Sequence, residues 1–227
     1  DRRSDEDIKK DSEKALKKLD EIWADAVLYA KIDSAANSQK TQITGYQPEM
    51  EALKSVINKK TLLLVEVNKS SDILLAIDWI KKTGVKAVLT GVAEGYRVAS
   101  KIAEAGLAVI TGPVLDTPRR EYDKYDAPYT NAAVMFKAGI KVAIRTDEAE
   151  NVRNLPFNAG FAAAYGLGKE EALRAITIVP AEILGMADRY GSIEPGKVAN
   201  LLICNGDPLE TKTIVEHLFI RGWKIPM

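Results

Sequence analysis

Between residues 61 and 147 the chain repeats one alternation four times: a short apolar run, then, after each of the first three, a stretch of helical periodicity closed by glycine. The apolar runs at 61–67, 86–90, 107–110 and 141–146 suit strands buried in a parallel sheet. Between them, 71–82, 93–105 and 129–138 carry helical patterns, stopped by Gly84, Gly106 and Gly139. Ser71 and Asp72 are placed to cap the first of these helices. The rhythm predicts an α/β fold of parallel βα units with right-handed crossovers. Four such units form either a small doubly wound sheet or the second half of an eight-stranded TIM (β/α) barrel, and the pattern alone leaves both open.

The flanks differ in kind. Residues 12–31 and 48–57 read as helices, the second opened by Pro48. From 188 onward a Pro195-Gly196 pair and apolar runs at 199–204 and 215–223 predict a small β appendage. The expected organisation is therefore a helical segment 1–58, an α/β half-barrel 59–187, and part of a small composite β-domain 188–227.

Charge narrows the function classes. Lys+Arg and Asp+Glu both number 32. No basic field favours nucleic acid, so no nucleic-acid partner is expected. No apolar run approaches the roughly 20 residues of a membrane helix, so no membrane partner is expected either. The first residues are polar and lack a secretory core. The chain opens on Asp1 rather than Met, which predicts processing or a fragment. The single Cys204 allows no internal disulfide and reads as a core thiol. A soluble protein is expected, with the compartment open between cytoplasm and periplasm.

One histidine, His217, lies in a period-two run and reads as a packed strand residue sharing a face with Val215 and Phe219. Histidine is the commonest metal ligand and general base at neutral pH, so this count excludes a His-built metal site and leaves no Ser-His constellation. Gly91-Val-Ala-Glu-Gly95 lacks the glycine spacing and lysine of a phosphate cradle.

Acids at expected strand ends remain. Asp147 closes Lys141-Val-Ala-Ile-Arg-Thr-Asp147, at the tip where α/β barrels place chemistry. It reads either as a catalytic carboxylate or as turn punctuation before a helix. Glu66 lies inside the run Leu64-Val-Glu-Val67, either as a ligand or as one half of an ion pair with Lys69 or another strand's basic residue. Glu94 reads mainly as helix-terminus stabilisation. Arg153, in Asn151-Val-Arg-Asn154, is either a carboxylate clamp or a loop-bracing arginine. The long loop 111–127 is a candidate specificity element.

Ile144-Arg-Thr-Asp147 with Asn151-Val-Arg-Asn-Leu-Pro156, Glu171-Ala-Leu-Arg-Ala-Ile-Thr177, Pro180-Ala-Glu-Ile-Leu-Gly185, Gly191-Ser-Ile-Glu-Pro-Gly-Lys197 and Gly206-Asp-Pro208 together resemble the C-terminal part of the amidohydrolase superfamily. The nearest branch is the imidazolonepropionase-like amidohydrolases. The resemblance implies the last four units of a (β/α)₈ barrel plus part of a β-domain. It implies hydrolysis of non-peptide C–N bonds in a small-molecule amide or cyclic amide, with divalent metal (zinc) activating water. On that likeness Asp147 is the catalytic base and a metal ligand, and Asn151 and Arg153 are substrate-binding. On that likeness the family's paired histidines belong to a first strand that this chain does not include. Its fifth-strand histidine falls at Glu66, which could replace it as a metal ligand, and its sixth at Thr90 or Gly91. Val179 stands where Asn is usual before Pro180, and Val198 and Asn200 where acids are usual after Lys197. The expectation is an incomplete, inactive portion with its metal absent. The alternative is a non-catalytic relative serving as a binding or assembly module. Two open sheet edges predict self-association or a partner that covers them.

Overall fold

The computed structural model describes residues 5–38 and 45–226. These residues form two compact units, Asp1–Leu63 and Leu64–Met227. In the first, α1 (Asp5–Ser38) and α2 (Pro48–Ile57) pack together as a helical pair. Ala26, Tyr29, Ala30 and Val56 are buried. Lys54 ties the helices at 2.5 Å to Asp33. The first helix is longer than the apolar spacing at 12–31 predicts.

The second unit carries the expected alternation. Its elements are β1 (Leu63–Val67), α3 (Ser70–Thr83), β2 (Ala87–Gly91), α4 (Ala99–Glu104), β3 (Val109–Thr111), α5 (Ala127–Lys137) and β4 (Val142–Ile144). The strands form one sheet in the order β1-β2-β3-β4. β2 and β3 are parallel with Leu89 opposite Val109, and β3 and β4 are parallel with Val109 opposite Val142. Gly84 ends α3 in the left-handed conformation at φ 65, and its N–H reaches Ile80 O at 2.8 Å.

The core lies between sheet and helices. Leu89, Val109 and Ala143 are fully enclosed, as are Ile73 of α3, Ile102 of α4 and Ala132 of α5. After β4 come α6 (Leu155–Ala162), α7 (Lys169–Ala175) and α8 (Ile178–Ile183), all packed against β4. Val142, Ala143 and Ile144 are consequently all buried. The two sheet edges are unequal, because β1 exposes Leu64 to 52% and its neighbours only partly.

The C-terminal strands β5 (Leu201–Cys204), β6 (Val215–Ile220) and β7 (Trp223–Ile225) make an antiparallel sheet. The single strand expected over 215–223 is interrupted at Arg221-Gly222, whose φ values of 50 and 82 form a two-residue hairpin turn. His217 is half-buried and pairs with Ile203, as its alternation predicts. Cys204 is a free thiol that is half-buried at a register irregularity in the small sheet, not in the core.

Candidate functional site

Parallel strands bring their C-terminal ends to one side, and backbone bonds stitch those ends together. Val92 N–H donates to Val67 O at 2.7 Å, and Arg145 N–H to Thr111 O at 2.8 Å. On this side Glu66, from β1, meets residues from the ends of β2 and β4. Thr90 Oγ1 donates to Glu66 Oε2 at 2.5 Å, and Arg145 Nη2 to Glu66 Oε1 at 2.9 Å. The same Nη2 stands 3.0 Å from Asp147 Oδ1. Asn68 Nδ2 reaches Glu66 Oε1 at a long 3.4 Å.

The two strand-end acids singled out by sequence thus share one guanidinium. Of the alternatives for Glu66, the ion pair is made, and its partner is Arg145 from beyond β4 rather than Lys69. Desolvation works against the Glu66 carboxylate, yet the Thr90 hydroxyl and the Arg145 guanidinium outweigh it and hold its pKa below the ordinary value. Asp147 adopts the left-handed region at φ 60, uncommon for a side-chain-bearing residue. Arg145 lies just past the end of β4, two residues before Asp147, and no local pattern marks it as the partner of Glu66.

Gly91 sits directly beneath this cluster. A β-carbon there would lie 2.6 Å from both Glu66 Oε1 and Asn68 Oδ1, and its φ is +79. The close approach is what requires glycine at the end of β2.

Asn151 and Arg153 are not drawn into the cluster. Asn151 donates to the Glu148 carboxylate, and Arg153 is exposed in the short 3₁₀ turn Val152–Asn154. Among the described residues no ion pair holds Arg153.

A second polar centre fixes the long loop. Glu94, 2% exposed, receives Arg120 Nε at 2.6 Å and Nη2 at 2.7 Å, and the Ser70 N–H at 2.9 Å. Glu94 therefore serves a helix N-terminus, but that of α3 rather than the helix it precedes. Ser71 and Asp72 make no cap bond there; Lys69 occupies the cap position. Burial pushes the Glu94 carboxyl up, but Arg120 and the Ser70 amide and hydroxyl prevail and hold it at about 2. Farther along, Asn158 Oδ1 accepts Val114 N–H at 2.8 Å and Leu115 N–H at 3.0 Å, and Arg97 pairs with Asp123. The loop between β3 and α5 is pinned from three sides. Beneath it lies a cavity of about 20 Å³ lined by Glu94, Tyr96, Thr111 and Asn131, room for about one water.

The chain has known relatives. The amidohydrolase family profile matches residues 41–223. The chain belongs to the amidohydrolase family. It is 36% identical over 110 residues to the imidazolonepropionase of Flavobacterium psychrophilum, which covers 42% of this chain and 26% of that protein. To the imidazolonepropionase of Flavobacterium johnsoniae it is 42% identical over 82 residues, or 34% of this chain and 20% of that one. The amidohydrolase from Thermotoga maritima MSB8 superposes with a TM-score of 0.84 at 30% identity, over 91% of this chain and 54% of its own. The chain thus spans about half the length of that solved relative. The sheet of parallel βα units corresponds to part of a TIM barrel, with the small antiparallel strands beyond it.

Amidohydrolases are generally metal-dependent, so the donor set must be tested against a metal. Among the described residues no group of three or more His, Cys, Asp or Glu side chains stands close enough to hold one. Glu66 and Asp147, the two candidate ligands, are both committed to Arg145. The third candidate position, at Thr90 or Gly91, offers a hydroxyl already bonded to Glu66 and a glycine with no space for a side chain. The described residues do not fit the metal.

Proposed function

We propose that this chain is the strand-end half of a hydrolase acting on non-peptide C–N bonds of a small amide or cyclic amide, with Asp147 as proton acceptor. The observation that carries the reading is Asp147 itself: a carboxylate just beyond the C-terminal end of β4, in a left-handed backbone. Membership of the amidohydrolase family and likeness to imidazolonepropionases support the reaction class. Arg145 Nη2, 3.0 Å from Asp147 Oδ1, orients that carboxylate, as a base positioned to take a proton from water requires. Arg153, exposed a short turn beyond, is free to grip a substrate carboxylate bidentately, with Asn151 beside it.

Alone, the 227-residue chain is catalytically incomplete in this reading, since its sheet has four strands and no metal-ligand group stands among its described residues. Self-association or a partner covers its β1 edge, and a second copy adds no metal-ligand group of its own among the described residues. The test is a panel of acyl amino acids and cyclic ureides. The isolated chain is expected to give no turnover above buffer. In a protein that carries it behind a further four βα units, Asp147→Asn is expected to lower kcat by about 10²–10⁴ with little change in KM. Amide hydrolysis by the isolated chain with stoichiometric zinc would overturn the incompleteness, and an unimpaired Asp147→Asn enzyme the role of Asp147.

A second reading, a relative that has become a binding or assembly module, is favoured by the commitment of both acids to Arg145. A full-length protein that is free of metal and silent on the whole panel would select it.

A further inference from the structure

Two carboxylates from separate strands repel one another unless a cation lies between them. In metalloenzymes that cation is the metal. Here Glu66 from β1 and Asp147 from beyond β4 face each other across the single Nη2 of Arg145, at 2.9 and 3.0 Å. The arginine is seated by its own backbone as well. Its N–H is bonded to Thr111 O at 2.8 Å, and its carbonyl oxygen lies against Gly112, where a β-carbon would approach it to 2.1 Å. Its Nε is buried, with no hydrogen-bond partner among the described residues. That atom accepts an energetic cost to place the guanidinium tip between the acids.

Gly91 supplies an independent observation. The nearest strand position that could present a third ligand is closed, because Glu66 Oε1 and Asn68 Oδ1 occupy the space of its β-carbon. The orientation of Glu66 that closes it is the one that Thr90 and Arg145 hold.

We propose that Arg145 is the resident cation of this site: its guanidinium takes the place of a divalent metal between Glu66 and Asp147, and the site takes up no such metal. The counter-charge is then covalent and permanent, and the carboxylate pair is held whether or not any ion is available. The inference concerns charge and does not depend on the hydrolase reading.

The test uses the purified chain and Mn²⁺, followed by loss of the free-ion electron paramagnetic resonance signal, beside thermal unfolding with and without the ion. The wild-type chain is expected to leave the signal and its unfolding temperature unchanged. Arg145→Met removes the charge at similar volume. It is expected to unfold several degrees lower, to take up Mn²⁺ at least about tenfold more tightly, and to regain part of the loss when the ion is added. Arg145→Lys restores a cation and is expected to exclude Mn²⁺ again, which carries the test should the methionine variant fail to fold. Stoichiometric Mn²⁺ on the wild-type chain, abolished by Glu66→Gln, would overturn the proposal. So would an Arg145→Met chain as stable as wild type. Neither readout involves hydrolysis, so a chain inactive on every amide leaves this result standing.

Discussion

At Gly91 the room available to a side chain is set by two oxygens, not by the local backbone alone. Alanine there puts a methyl group 2.6 Å from Glu66 Oε1 and Asn68 Oδ1 at a φ of +79. Glu66 can only yield by leaving Thr90 and Arg145. Gly91→Ala is therefore expected to cost roughly 1–3 kcal/mol from backbone strain, before any lost ion pair is counted. Urea unfolding measures it, and a wild-type midpoint would mean that Glu66 does not rest over the glycine. At this scale the acids were legible and their partners were not. Glu66 and Asp147 stand out because an acid in or at the end of an apolar run demands an explanation. Arg145 lies in the same run as Asp147, but which residue pairs with Glu66 depends on sheet order, which no local pattern encodes.

The long connection between β3 and α5 behaves as an anchored element. Its Arg120 neutralises a buried Glu94 whose carboxyl is held at about 2 against an ordinary 4.5. A pKa depressed in the folded state stabilises at pH above the ordinary value, and the contribution fades as pH falls from about 4.5 to about 2. Over that window the shift corresponds to about 3 kcal/mol. Arg120→Ala leaves a buried carboxylate without its counter-charge, with an expected loss of roughly 3–5 kcal/mol near neutrality. Without Arg120 burial is opposed only by the Ser70 bonds, so the folded pKa rises toward the ordinary value and the acid limb that Glu94 contributes is expected to shrink. Urea midpoints between pH 2 and pH 7 for both proteins test this, and superimposed acid limbs would exclude Glu94 as the titrating group. The elements themselves were largely readable, because glycine stops and apolar runs are local signals. The N-terminal partner of α3 was not, since Glu94 is brought to Ser70 only when β1 and β2 lie side by side. The β6–β7 break was missed for a different reason: the Arg221-Gly222 turn is short and its flanks are equally apolar.

For the whole molecule, the sheet's unequal edges decide how it meets a second copy. A half-barrel reading predicts two open edges, but α6, α7 and α8 pack against β4 and leave it buried. β1 is different. Alternation puts Leu64 and Glu66 on one face, and Leu64 is 52% exposed there. An exposed apolar strand residue near an open edge invites pairing with another chain. The proposed self-association should therefore run through β1, and one charge should weaken it. Sedimentation of the purified chain is expected to show mass rising with concentration. Leu64→Lys, whose ammonium can reach solvent from an already exposed position, is expected to shift the equilibrium toward monomer without loss of folded signal. A wild-type chain that stays monomeric at high concentration would remove self-association from the reading. A Leu64→Lys chain that associates as strongly as wild type would instead place the contact on another surface. Gain of mass through β1 also bears on Glu66, which shares that face with Leu64. Association should then protect the Glu66–Arg145 pair from salt, because buried pairs are screened less than exposed ones.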